Sequence, residues 1–92
     1  MGTLESLRQE ITELDHQLLQ LLAQRQRIVS TIAVYKKAHS QPIIDLNQEQ
    51  KQYNRYQQWA EELHFSTDWA LQLFKLIITM PRETQQAIIQ HL

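Results

Sequence analysis

TLESLRQEITELDHQLLQLLAQRQRIVSTIAVYKKA, running from Thr3 to Ala38, is a stretch of 36 residues without a glycine or a proline. Leu4, Leu7, Ile11, Leu14, Leu18 and Leu21 recur at alternating spacings of three and four. The register continues through position 25 to Ile28, Ile32 and Tyr35. This is a heptad seam, and it predicts one helix over the whole stretch. Thr3, with Glu5 and Glu10 following, suits its N-terminus. At a rise of ~1.5 Å per residue the helix is roughly 50 Å long. The rest of the chain is too short to cover such a rod, so an intertwined homodimer is the economical expectation.

Downstream, HSQPIID (39–45) breaks the pattern at Pro42. Asp45 or Asn47 can cap a second helix with Leu46, Tyr53, Tyr56, Ala60 and Leu63 inward. HFSTD (64–68) forms the next loop, and Ser66 or Thr67 can cap a third helix. Its stripe reads Trp69, Leu73, Leu76, Ile77, Met80, Thr84, Ala87, Ile88 and His91, with Trp59, Trp69, Tyr53, Tyr56 and Phe74 at core spacing. Pro81 falls inside this stripe. The apolar phase runs unbroken across it and Arg82 stands where a capping box needs Glu or Gln, so one kinked helix is expected rather than two.

The expected architecture is therefore all-α, a single domain over residues 1–92 with three helices per chain. The composition sets further bounds. A net charge of −1 with no basic block argues against a general binder of nucleic acid or anionic membranes. Cysteine is absent, which removes disulfide and thiolate chemistry. No apolar run approaches the ~20 residues of a membrane span, and the N-terminus does not read as a signal peptide, so the cytoplasm is the expected location. His16, His39, His64 and His91 show no metal-ligand spacing, and no phosphate-binding or nucleophile motif is present.

The informative polar residues are charges placed among apolar ones. Arg25 occupies a seam position where Leu or Ile is expected, and an unpaired guanidinium is costly to bury. Lys36 follows eleven residues later, close to three full turns, on nearly the same face with Val29 and Ile32 between. Two inward cations suggest an anionic ligand, although Arg25 could equally bridge to Glu49 or Asp45 as a structural ion pair. Glu49 lies between Leu46 and Tyr53 on the inward side of the second helix, where a helix-start acid is also favoured by the dipole. Gln85 sits one turn after Pro81. Arg8 lies about 25 Å from Arg25 along the helix, so one small ligand could meet both only across a dimer.

Arg8 in LRQEITELD, Arg25 in LLAQRQ, Lys36 in YKK, Asp45 and Glu49 in PIIDLNQE, and Gln85 in LFKLIITMPRETQQA together resemble the all-α, AroQ-type chorismate mutases, from Leu4 to about Ile89. The resemblance implies an intertwined homodimer with shared active sites and the Claisen rearrangement of chorismate to prephenate in aromatic amino-acid biosynthesis, without metal or cofactor. It implies that Arg25 of one chain and Arg8 of the other grip the two carboxylates. Lys36 and Gln85 would donate to the ether oxygen, and Glu49, with the backbone near Asp45, would hold the ring hydroxyl. Two positions depart from the family pattern. Gln48 stands where many relatives carry a pocket arginine, and Pro81 where a serine often touches a substrate carboxylate. Both weaken anion binding. The same fold also hosts isochorismate-pyruvate lyases and mutases of amino-substituted chorismate, and many relatives are fused to or activated by other enzymes of the pathway. A non-catalytic helical dimerisation module is the remaining alternative, against which the full set of Arg8, Arg25, Lys36, Glu49 and Gln85 argues.

Overall fold

The computed structural model describes residues 2–42 and 44–91, with side chains as far as Thr79. Three helices follow one another: α1 (Leu4–Ala38), α2 (Leu46–Glu62) and α3 (Thr67–His91). Each starts on a side-chain cap. Thr3 Oγ1 accepts from the Ser6 amide at 3.0 Å, Asp45 Oδ1 from the Gln48 amide at 3.1 Å, and Ser66 Oγ from the Trp69 amide at 3.3 Å. Every cap satisfies an amide that the first helical turn leaves without a partner.

The helix ends are less legible in the sequence, because neither is marked by glycine. α1 and α2 close in the same way, with the residue after the cap in the left-handed region, Ser40 at φ 55° and His64 at φ 54°. The Gln41 amide then donates to Lys36 O at 2.8 Å and the Phe65 amide to Ala60 O at 2.8 Å. The Ser40 amide reaches Lys37 O and the His64 amide Glu61 O at 3.4 and 3.2 Å. These are Schellman closures, and the carbonyls they satisfy offset the cost of the strained φ. His39 adds an i−4 bond from Nδ1 to Tyr35 O at 2.9 Å and stacks on the Tyr35 ring. Since a carbonyl only accepts, that contact places the proton on Nδ1.

α3 is the hub. It packs against both α1 and α2, whereas α1 and α2 do not touch one another among the described residues. Among the described residues the core consists of Val29 and Ala33 from α1, Ala60 from α2, and Ala70, Phe74 and Ile77 from α3. Phe74 anchors the α2 side, its ring 4.9 Å from that of Tyr56 and 6.1 Å from that of Tyr53. The radius of gyration is 16.7 Å and the longest dimension 55 Å. A compact chain of this length would have a radius of about 12 Å.

Several inward positions expected from the heptad are corrected. Ile28, Ile32 and Tyr35 are exposed, and Val29 and Ala33 take the buried places. On a straight helix a seven-residue repeat drifts by about 20° per heptad, which carries the end of the seam off the face where it began. Likewise Trp69, Leu73 and Leu76 are exposed on α3, one position out of phase with Ala70, Phe74 and Ile77. Leu46, Leu63 and Trp59 are exposed on α2. The stripe read on α3 had merged two apolar faces, of which the chain itself covers one. Met80, Thr84, Ala87, Ile88 and His91, the remainder of that stripe, have side chains outside the described residues.

α3 continues through Pro81 to His91 as one helix, as the unbroken phase required. No helix among the described residues is long and apolar enough to cross a membrane.

Candidate active site

Three lines of side chains meet where α3 lies against its two neighbours. On α1, Arg25, Val29, Ala33 and Lys36 fall within an arc of about 80° at 3.6 residues per turn. Val29 and Ala33 are buried against α3, and Arg25 and Lys36, on either side of them along the rod, are half-buried. The sequence reading that both cations point inward along one face is therefore met in the fold. Cations flanking two buried apolar residues can cover that surface with their stems while their heads stay within reach of an anion.

On α2 the inward line is Glu49, Tyr53, Tyr56 and Ala60, at spacings of four, three and four. Glu49 is half-buried like the two tyrosines, one turn from Tyr53 and towards the start of the helix. Asp45 and Gln48 differ from it. Both are exposed, Asp45 is engaged as the cap of α2, and the Gln48 backbone amide completes that cap. Only the backbone around Asp45 is thus available for a ligand role of the kind the family resemblance implied.

On α3 the buried line is Ala70, Phe74 and Ile77. Pro81 and Gln85 follow at helical spacing, seven and eleven residues after Phe74, so the backbone register sets both positions on this line. Their side chains lie outside the described residues. Arg8 is exposed on the first turns of α1. Arg25, Lys36 and Glu49 are half-buried on two helices that both pack against α3.

Three further polar side chains are half-buried beside these lines: Gln26 and Ser30 on α1 and Gln52 on α2. Ser30 Oγ donates to Gln26 O at 3.1 Å. The heptad phase placed them off the seam, and only the 3.6-residue phase brings Gln26 close to the buried arc. A shallow open hollow elsewhere is lined by Gln17, Gln20, Leu21, Ala23, Gln24 and Arg27. All six belong to α1, and the surface of one helix cannot enclose a ligand.

The arrangement suits recognition of an anion by fixed cations, with a carboxylate nearby to accept from a hydroxyl. Among the described residues no group of three His, Asp or Glu side chains could hold a metal ion. Fixed cations and a carboxylate can supply positioning and electrostatic stabilisation.

Residues 7–86 match the family chorismate mutase type II. The chain is 33% identical over 84 residues to the bifunctional chorismate mutase/prephenate dehydratase of Buchnera aphidicola subsp. Schizaphis graminum, covering 91% of this chain and 22% of that protein. It is 32% identical over 85 residues to the protein of the same description from Escherichia coli K12, covering 92% and 22%. The chain thus spans about a fifth of the length of these bifunctional relatives. The chorismate mutase of Methanocaldococcus jannaschii is matched nearly end to end, at 24% identity over 95% of this chain and 88% of that protein. With a match that takes in all three helices and the lines carrying Arg25, Lys36 and Glu49, the chain belongs to the chorismate mutase type II family.

Proposed function

We propose that this chain catalyses the rearrangement of chorismate to prephenate at the junction of α1, α2 and α3, in a homodimer whose two sites are shared between chains. The observation that carries the reading is the placement of Arg25, Lys36 and Glu49, all half-buried, on the inward lines of α1 and α2 within a chain of this family. The reaction is unimolecular. It breaks the ether C–O bond while forming a C–C bond between the enolpyruvyl methylene and the ring. Two contributions suffice for it: holding the enolpyruvyl arm over the ring, and stabilising the negative charge that grows on the ether oxygen.

In this reading Arg25 pairs with one substrate carboxylate, and Lys36 donates to the ether oxygen together with Gln85. Glu49 accepts from the ring hydroxyl, assisted by the backbone near Asp45. The second carboxylate falls to Arg8 of the partner subunit. Dimerisation is supported by the uncovered half of α1, where Leu4, Leu7, Ile11, Leu14 and Leu18 are 47–63% exposed. These leucines and the isoleucine share the arc of Val29 on an ideal helix, so a second chain would extend the packing that α3 provides further along.

Gln48 and Pro81 keep a second substrate open within the same fold, because both replace groups that strengthen anion binding in relatives. The deciding experiment incubates the purified protein separately with chorismate and isochorismate and identifies the products. Prephenate from chorismate is expected. Salicylate and pyruvate from isochorismate, with chorismate untouched, would transfer the assignment to a lyase. A stable dimer inert to both and unable to bind a bicyclic transition-state analogue would leave only a structural role. A possible association with, or fusion to, a further enzyme of aromatic biosynthesis is suggested by the bifunctional relatives.

A further inference from the structure

α3 runs without interruption from Thr67 to His91, and Pro81 lies in its interior. In a helix the carbonyl of Ile77 takes its hydrogen bond from the amide of residue 81, and a proline nitrogen has no hydrogen to give. In helices generally a proline ring crowds the carbonyl four residues earlier and tilts it away from the axis. Ile77 is buried in the helix junction at 6% exposure, and the register sets position 81 on the same line, seven residues after Phe74. The chain shows elsewhere how it treats carbonyls in its helices. Thr12, Ser30, Thr31 and Thr79 each donate a hydroxyl to the carbonyl four residues earlier, on top of the helical bond. At position 81 the sequence supplies neither an amide hydrogen nor a hydroxyl.

We propose that the Ile77 carbonyl is a hydrogen-bond acceptor in the substrate-facing wall, and that Pro81 is a specificity-determining residue acting through it. A carbonyl oxygen carries partial negative charge. Set in a wall otherwise furnished with Arg25 and Lys36, it opposes a carboxylate at that spot and favours a donor such as a hydroxyl or an amine. Pro81 thus acts by more than lacking a polar side chain. It reverses the polarity of the backbone itself at one point of the wall, and a dicarboxylate is bound less tightly in consequence. This rests on the site described under the proposed function.

The test separates the carbonyl from the side chain. Pro81→Ala restores the amide hydrogen and adds no polar group. It is expected to lower KM for chorismate about fivefold, the effect of one net hydrogen bond, with the change in KM rather than in kcat and with a raised Tm. Pro81→Ser should lower KM at least as far. Replacing residue 81 by ester-linked lactic acid, through chemical ligation of the 92-residue chain, removes the ring but again withholds the hydrogen, and KM should return to that of the parent protein. A raised Tm with KM unchanged in Pro81→Ala would overturn the inference and leave the kink merely tolerated. A low KM retained in the ester variant would overturn it in favour of ring bulk. Parent protein inert to chorismate would instead sink the site assignment, and the inference with it.

Discussion

The two halves of α1 carry the same apolar rhythm and meet different fates. From Leu22 to Lys36 the helix lies against α3, buries Val29 and Ala33 and holds two cations half out of water. From Leu4 to Leu21 every large apolar side chain is exposed. No difference in periodicity foretells this, since the leucines of the first half are as regular as those of any packed seam. What differs is the supply of partners. α3 covers part of a rod spanning much of the 55 Å long axis, and on α1 the buried residues among those described are Val29 and Ala33. The second chain proposed above would cover this exposed apolar face.

The comparison can be broken most severely on its packed side. Phe74→Ala removes the ring that joins α3 to Tyr53 and Tyr56, and should cost about 3–5 kcal/mol of stability, read as a fall in the urea midpoint. A loss under 1 kcal/mol would show that the junction is not the organising core. Lys36→Ala should leave the urea midpoint close to that of the parent and cut kcat/KM by a few hundredfold, about 3–4 kcal/mol of transition-state stabilisation. Equal losses of stability and activity would mark Lys36 as structural instead.

On the uncovered side, Leu14→Ala should weaken self-association by about 2–3 kcal/mol, a rise in Kd of roughly 30- to 150-fold by sedimentation equilibrium. An unaltered Kd would show that the exposed stripe is not the interface. The smallest effect is expected at the tip, where Thr3→Ala removes the cap on the Ser6 amide and should cost about 1 kcal/mol. Hydrogen exchange of the first-turn amides measures it, and the change should fade towards Arg25.

Much of the fold was legible because helix starts and stops are local. Thr3, Asp45 and Ser66 each offer a short oxygen to an amide three residues on, and Pro42 stands in the first connection. The end of α1 falls at Ala38 as read, although Ser40 and His64, just beyond the two helix ends, take a backbone conformation usually left to glycine. At the candidate site, Arg25, Lys36 and Glu49 could be found because a charge among apolar positions is a local contradiction. Gln26, Ser30 and Gln52 could not, because a polar residue a little off a stripe looks like any solvated one.

The sequence by itself determined three helices, the Thr3 cap, a choice of two caps for each of the other helices and the passage of α3 through Pro81. All of these depend on contacts within a few turns, or on a period of 3.6. Only the tertiary structure decided which of two apolar faces on α1 and α3 is buried. Adjacent stripes about 100° apart are equally apolar, and the choice between Ile28 and Val29, or Leu73 and Phe74, falls to the helix that packs there. It also decided that α1 and α2 stand apart with α3 between them, which is how the chain comes to gather its charged residues around one helix.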